Sequence, residues 1–154
     1  MAYAVIRVRG TTGVHRDIAH TMELMGLFRV NTCAIVSEDA VSKGMLNKAK
    51  DYVTWGEVDE ATLAEMIRAR GRAVGDTPLC DDCAREKTGF ENVEAIAKAV
   101  ASGECRLRDI EGMKPVFRLH PPVKGYEGIK RPYSSGGALG YRGGAINDLI
   151  ARML

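Results

Sequence analysis

No apolar run in this sequence approaches the roughly 20 residues that a helix needs to cross a bilayer, so no membrane-spanning segment is expected. Cysteine is scarce. The four residues at positions 33, 80, 83 and 105 do not make a disulfide framework, which points to a reducing, cytoplasmic setting. A secretory leader is not expected either, because Arg7 and Arg9 interrupt the N-terminal apolar stretch too early for one. Nucleotide-binding loops are missing: Gly10-Thr-Thr-Gly13 lacks the Lys-Ser/Thr of a P-loop, and Gly136-Gly-Ala-Leu-Gly140 does not sit between a strand and a helix. The three histidines, His15, His20 and His120, are too scattered to draw a Ser/His/Asp or Cys/His constellation. No cofactor and no small-molecule substrate is therefore expected. What is present is ordinary for one domain, or a small domain with an appendage: 154 residues, 45% hydrophobic and 27% charged.

The net charge of +2 hides a segregation along the chain. Residues 1–50 carry seven Lys/Arg against four Asp/Glu, whereas residues 76–105 carry three against seven. Residues 114–142 reverse the sign again, with six against one. Two basic regions separated by an acidic one point to a polyanionic partner.

Alternation over residues 3–9 predicts a strand, with Ala4, Ile6 and Val8 on one face and Tyr3, Val5, Arg7 and Arg9 on the other. Two arginines at the end of the second face imply a sheet covered on one side and open on the other. Helical spacing of Ile18, Met22 and Met25 predicts a helix over 14–25, closed by Gly26. A strand over 31–37, a helix over 44–51, a strand over 53–57 and a helix capped by Asp59 complete an α+β unit. After Gly71 the composition shifts. Val93, Ile96, Ala97 and Val100 mark one further helix, and Ile146, Leu149, Ile150 and Met153 mark a terminal one. Between them, Lys114 to Gly144 holds four of the five prolines and seven of the seventeen glycines, the pattern of an extended arm shaped by a partner.

That arm carries the densest group of candidate RNA-binding residues: Lys114, Arg118, His120, Lys124, Tyr126, Lys130, Arg131, Tyr133, Tyr141 and Arg142. Arginine and lysine supply charge and donors to phosphate, and glycine lets backbone N–H groups approach phosphate oxygens. Tyrosine and histidine stack on unpaired bases or bond ribose hydroxyls. A second basic surface is expected from Arg7, Arg9, Lys43, Lys48 and Lys50. The rival signal is Cys80-Asp-Asp-Cys83. Its two aspartates disfavour the thiolate that redox chemistry needs, and a zinc site would need two more ligands converging from Cys33, Cys105 or a histidine.

Several stretches, taken in order, carry a family resemblance. They are Val8-Arg-Gly10, the helix from His15 to Leu27, Val30-Asn-Thr-Cys33, Lys43-Gly-Met through Trp55-Gly-Glu57, Phe117-Arg-Leu-His-Pro-Pro122, Gly136-Gly-Ala-Leu-Gly-Tyr-Arg-Gly-Gly144 and Ile146-Asn-Asp-Leu-Ile. Together they resemble the large-subunit ribosomal protein thirty family in its long archaeal form, whose eukaryotic counterpart bears the number seven. Bacterial members stop near residue 60, so the C-terminal half implies an archaeal source. The resemblance implies a non-catalytic constituent of the cytoplasmic large ribosomal subunit, contacting large-subunit and 5S ribosomal RNA and neighbouring ribosomal proteins. It implies a three-stranded antiparallel sheet with helices packed on one face, ferredoxin-like, in a core domain of residues 1–71. Residues 72–154 form a C-terminal extension with the basic arm (114–144) and a terminal helix. On matching positions it supports RNA contact by the Lys43–Lys50 segment and by Arg118 through Arg142. It gives Cys80 and Cys83 no role.

Overall fold

Strand β1 (Ala2–Arg7) reads Ala-Tyr-Ala-Val-Ile-Arg, apolar at five consecutive positions, and all six residues are buried. Such a strand needs cover on both faces. In the computed structural model, which describes residues 2–79 and 88–154, it has that cover. Tyr3 and Val5 pack against Met22 of α1 (Arg16–Leu24) and Leu46 of α2 (Ala40–Ala49). Ala2, Ala4 and Ile6 join Leu63 and Met66 of α3 (Glu60–Arg70), Ile96 of α4 (Val93–Ser102) and Ile146 of α5 (Ala145–Ala151). The expectation of helices on one face is corrected on this point. The second face is apolar as well, and the arginine that ends it is folded under rather than exposed.

The sheet is α+β in kind but wider than three strands, and mixed rather than antiparallel throughout. Its order is β4-β2-β1-β3-β6-β5. Here β2 is Thr32–Ser37, β3 Val53–Glu57, β4 Val116–Arg118, β5 Gly128–Pro132 and β6 Gly137–Tyr141. The central β2-β1-β3 set is antiparallel, and β4 adds antiparallel to β2. On the other side β6 runs parallel to β3, and β5 parallel to β6 with an irregular register. Three of the six strands thus come from residues 114–144, and the arm is built into the sheet of residues 1–71 rather than lying apart from it.

Local chemistry fixes the turns and close approaches that join these elements. Helix α1 ends in a Schellman motif: Gly26 sits at φ +81°, its N–H donates to the Glu23 carbonyl at 2.8 Å, and the Leu27 N–H donates to Met22 at 2.8 Å. Asp59 occupies the cap position of α3 without a side-chain capping bond. Instead its backbone N–H donates to Asn147 Oδ1 at 3.1 Å, tying α5 to the start of α3. Close approach fixes Gly56 on β3, where an added Cβ would lie 2.0 Å from the Gly143 carbonyl oxygen.

Candidate nucleic-acid interface

Strand register sorts the charges of the body to opposite ends of the sheet. Arg7, at the end of β1, lies opposite Val53 at the start of β3. Thr32, at the start of β2, lies opposite Arg118 at the end of β4, and Gly140 of β6 lies beside Thr54. Around this end stand Arg9, Arg29, Lys50, Arg118 and Lys124, with Lys130 and Arg131 on the outermost strand β5, interspersed with Asp51 and Glu127. At the other end Ala2 pairs with Ser37 and Tyr3 with Glu57, and there Glu38, Asp39, Glu57, Asp59 and Glu60 gather. The sheet has a basic end and an acidic end.

The basic end is held in shape by a buried cation. Arg7 is only 3% exposed, and its guanidinium donates to four carbonyls: Arg9 (2.9 Å), Gly10 (3.1 Å), Leu27 (2.7 Å) and Phe28 (3.2 Å). Burial lowers its pKa from the ordinary arginine value. Arg7 clamps the loop after β1 to the loop before β2 and offers no exposed surface to a partner. Arg9 carries the outward charge: it lies over the Tyr52 ring at 5.0 Å and donates to the Asp51 carbonyl at 3.2 Å.

The arm wraps this same end, anchored on Asn31, a residue at φ +62°. The Leu119 N–H donates to the Asn31 carbonyl at 3.0 Å, and the Tyr126 hydroxyl donates to Asn31 Oδ1 at 2.6 Å. Burial pushes the Tyr126 phenol well above its ordinary pKa, so this ring acts as an anchor with its hydroxyl facing inward. His120 is exposed, and its N–H donates to the Met153 carbonyl at 3.0 Å, while Val123 is held by Arg152. Lys124 stands exposed at φ +70° in the tight turn closed by Gly125 and Pro122. Lys130 and Arg131 are exposed on the edge strand.

Arg142, by contrast, is 7% exposed. Its Nε donates to Thr54 Oγ1 at 2.9 Å, another guanidinium nitrogen donates to the Ala138 carbonyl at 3.0 Å, and Tyr133 lies against it at 4.7 Å. Desolvation lowers its pKa. It pins the arm to β3 from within.

The remaining predicted residues are spread more widely. Lys48 and Lys50 are exposed near the C-terminal end of α2. Lys43 is at the acidic end, 2.9 Å from Glu38, a contact that holds the Glu38 carboxyl below the usual range and raises the lysine. Lys114 is paired with Asp76 at 2.7 Å, with Asp76 likewise lowered. Tyr141 is exposed but donates its hydroxyl to Glu57 and leans on Trp55, away from the basic end. Sequence reasoning passed over Arg29 and Phe28, which the Arg7 clamp holds at the basic end. The available signal was a cation between two apolar residues, Phe28 and Val30, in a short helix-to-strand connection.

Among the described residues, no group of three or more His, Cys, Asp or Glu side chains converges. Cys33 is buried, its thiol pushed up to about 12, and Cys105 is half-buried. Cys80 and Cys83 lie outside the described residues. No described helix is long and apolar enough to cross a membrane.

Comparison with known proteins gives a consistent picture. A family profile described as ribosomal protein L30p/L7e matches residues 3–53. Over 152 residues the chain is 49% identical to the large ribosomal subunit protein uL30 of Methanobrevibacter smithii, spanning 99% of each chain. It is 50% identical to that of Methanococcus vannielii over 156 residues and the whole of both chains. It is also 50% identical to that of Methanopyrus kandleri, over 96% of this chain and all of the relative.

Proposed function

The chain belongs to the ribosomal protein L30p/L7e family and is a structural, non-enzymatic constituent of the ribosome, and we propose that it binds large-subunit and 5S ribosomal RNA in the cytoplasmic large subunit. The observation that carries this reading is the charge division of the sheet. Cations from separate segments, Arg9, Arg29, Lys50, Arg118, Lys124, Lys130 and Arg131, outnumber the carboxylates Asp51 and Glu127 at one end, whereas at the other the carboxylates predominate and the cations Lys43 and Arg106 are paired with Glu38 and Asp39.

A polyanion is the partner that such an end suits. Each cation placed near a phosphate releases a condensed counterion, and the gains add across the surface. Anchoring matters as much as charge. Asn31, Arg7 and Arg142 spend their hydrogen bonds inside the protein, so the outward cations sit on a frame fixed before binding. The protein thereby holds RNA segments in one relative arrangement through phosphate contact and shape, and no bond is made or broken. The names of the relatives place them in the large subunit; the same location, with ribosomal proteins as neighbours, is our reading for this chain.

Sedimentation of cell extract through a high-salt gradient tests it. The protein should travel with the large subunit after the wash. Recovery in the free-protein fraction after that wash would overturn the assignment.

A further inference from the structure

The connection between α1 and β2 displays an aromatic ring where an apolar side chain gains nothing from the fold. Phe28 is 61% exposed, the most exposed aromatic among the described large hydrophobic residues, and Val30 beside it is 40% exposed. A scattered surface apolar residue needs no explanation. The backbone beneath this one is what sets it apart.

The connection is fastened at several points. The Schellman motif closes α1 through Gly26 and Leu27, and the Leu27 side chain is fully buried. The carbonyls of Leu27 and Phe28 both accept from the buried Arg7 guanidinium, which at the same time holds Arg9 and Gly10. The Thr32 N–H donates to the Arg29 carbonyl at 3.3 Å, and the Asn31 N–H donates to the Arg7 carbonyl at 2.8 Å. The ring thus stands exposed on a connection fastened at both ends and through its Leu27 and Phe28 carbonyls. Arg29, also exposed, follows it in sequence, and the arm passes at Asn31 through Leu119; the Arg9 backbone carbonyl shares the Arg7 clamp, while the Arg9 guanidinium lies over Tyr52. An exposed aromatic face next to an exposed arginine, on a loop tied down from beneath, is the chemistry that captures an unpaired nucleobase while the cation holds a flanking phosphate.

We propose that Phe28 is a stacking platform for an unpaired base of ribosomal RNA, with the adjacent Arg29 contacting a flanking phosphate. The inference rests on the RNA-binding reading above and goes further in naming the nucleotide state that is recognised: a base out of helical stacking, at a bulge, loop or junction. A base-paired stretch would offer the ring nothing to stack on.

The test uses the full chain and protein-free large-subunit and 5S RNA extracted from ribosomes, with affinity measured across a salt series. Phe28→Ala should weaken binding by roughly 5- to 100-fold while the slope of log affinity against log salt stays at the wild-type value. Phe28→Tyr should retain affinity within about threefold, because either ring offers a face to the base. The exposed position lets both variants fold, and an unchanged thermal midpoint verifies it. Phe28→Ala binding like wild type, while Lys130→Ala with Arg131→Ala binds more weakly, would overturn the platform and leave the RNA reading intact; that is also the result if a protein neighbour, absent from this assay, is what covers the ring. Loss of affinity accompanied by a shallower salt slope, or equal losses in Phe28→Ala and Phe28→Tyr, would overturn it too. Failure of the wild-type chain to bind the RNA would overturn both readings together.

Discussion

Arg142 and Thr54, 88 positions apart in the chain, meet inside the protein: the guanidinium Nε donates to the threonine hydroxyl oxygen at 2.9 Å, and both side chains are buried. The same hydroxyl donates onward to the Gly140 carbonyl at 2.9 Å. One oxygen therefore accepts from the arm's cation and donates to the arm's backbone. This is how β6 is registered against β3 across only a short parallel pairing.

Replacing Thr54 with valine keeps the volume and deletes that oxygen. A buried donor left without its acceptor costs about 1–3 kcal/mol, more when charged. We expect Thr54→Val to lower unfolding free energy in urea by at least about 1 kcal/mol for that reason. An unchanged midpoint would show that Arg142 finds another partner without loss.

The approach of β3 to the turn at Gly143 gives a second expectation. A Cβ at position 56 would lie 2.0 Å from the Gly143 oxygen and 3.1 Å from the Ile146 Cβ, so both the turn and α5 must move. Gly56→Ala should destabilise by about 1–3 kcal/mol or more, the usual range for overpacking. Differential scanning calorimetry would read it as a lowered midpoint.

Much of the fold was legible in the sequence and some was not, for reasons that differ residue by residue. The existence of the described helices and of the first three strands follows from apolar spacing, as with Ile18 and Met22 on α1 or Ile96 and Val100 on α4. The strands of the arm do not. Gly137, Gly140 and their neighbours form a strand whose pairing with Thr54 and Trp55 rests on backbone groups, which leave no alternating pattern to read. Arg7 and Arg142 resemble any surface cation in sequence, because nothing local says that carbonyls from a distant loop will fold over them. The pairing of Lys43 with Glu38 was hidden for a similar reason: α2 starts at Ala40, earlier than spacing indicated, and its first turn lies beside Glu38. The exposure of Lys130 and Arg131 was readable, because glycine- and proline-rich context keeps such cations at the surface.

Alkaline pH should weaken the fold through its tyrosines. Burial raises the Tyr126 pKa above the ordinary value of 10.0, and Tyr3 is raised as well, by burial and by its bond to Glu38. A group with a raised folded-state pKa contributes stability that is complete below the unfolded-state value and is lost as pH rises through the folded one. Unfolding free energy should therefore fall as pH climbs above about 10, the unperturbed tyrosine range. Tyr126→Phe should reduce that slope, at the expense of the Asn31 bond at neutral pH. Equal slopes in the two proteins would contradict the burial of the phenol.

Salt dependence separates the two ends of the sheet. Replacing Lys130 and Arg131 together with alanine should weaken RNA binding and lower the salt slope by up to about 1.8, two phosphate contacts at about 0.9 each. Lys43→Ala, which removes a cation at the acidic end, should leave the slope unchanged. Equal effects would mean that charge count, not placement, governs binding.

The central question is which end of the sheet meets RNA. Photo-crosslinking in assembled large subunits tests this directly, with a photoreactive phenylalanine placed at position 130 in one protein and at position 60 in another. Strong crosslinks to ribosomal RNA are expected from position 130 and weak or none from position 60. Crosslinks of equal strength, or stronger from position 60, would contradict binding through the basic end.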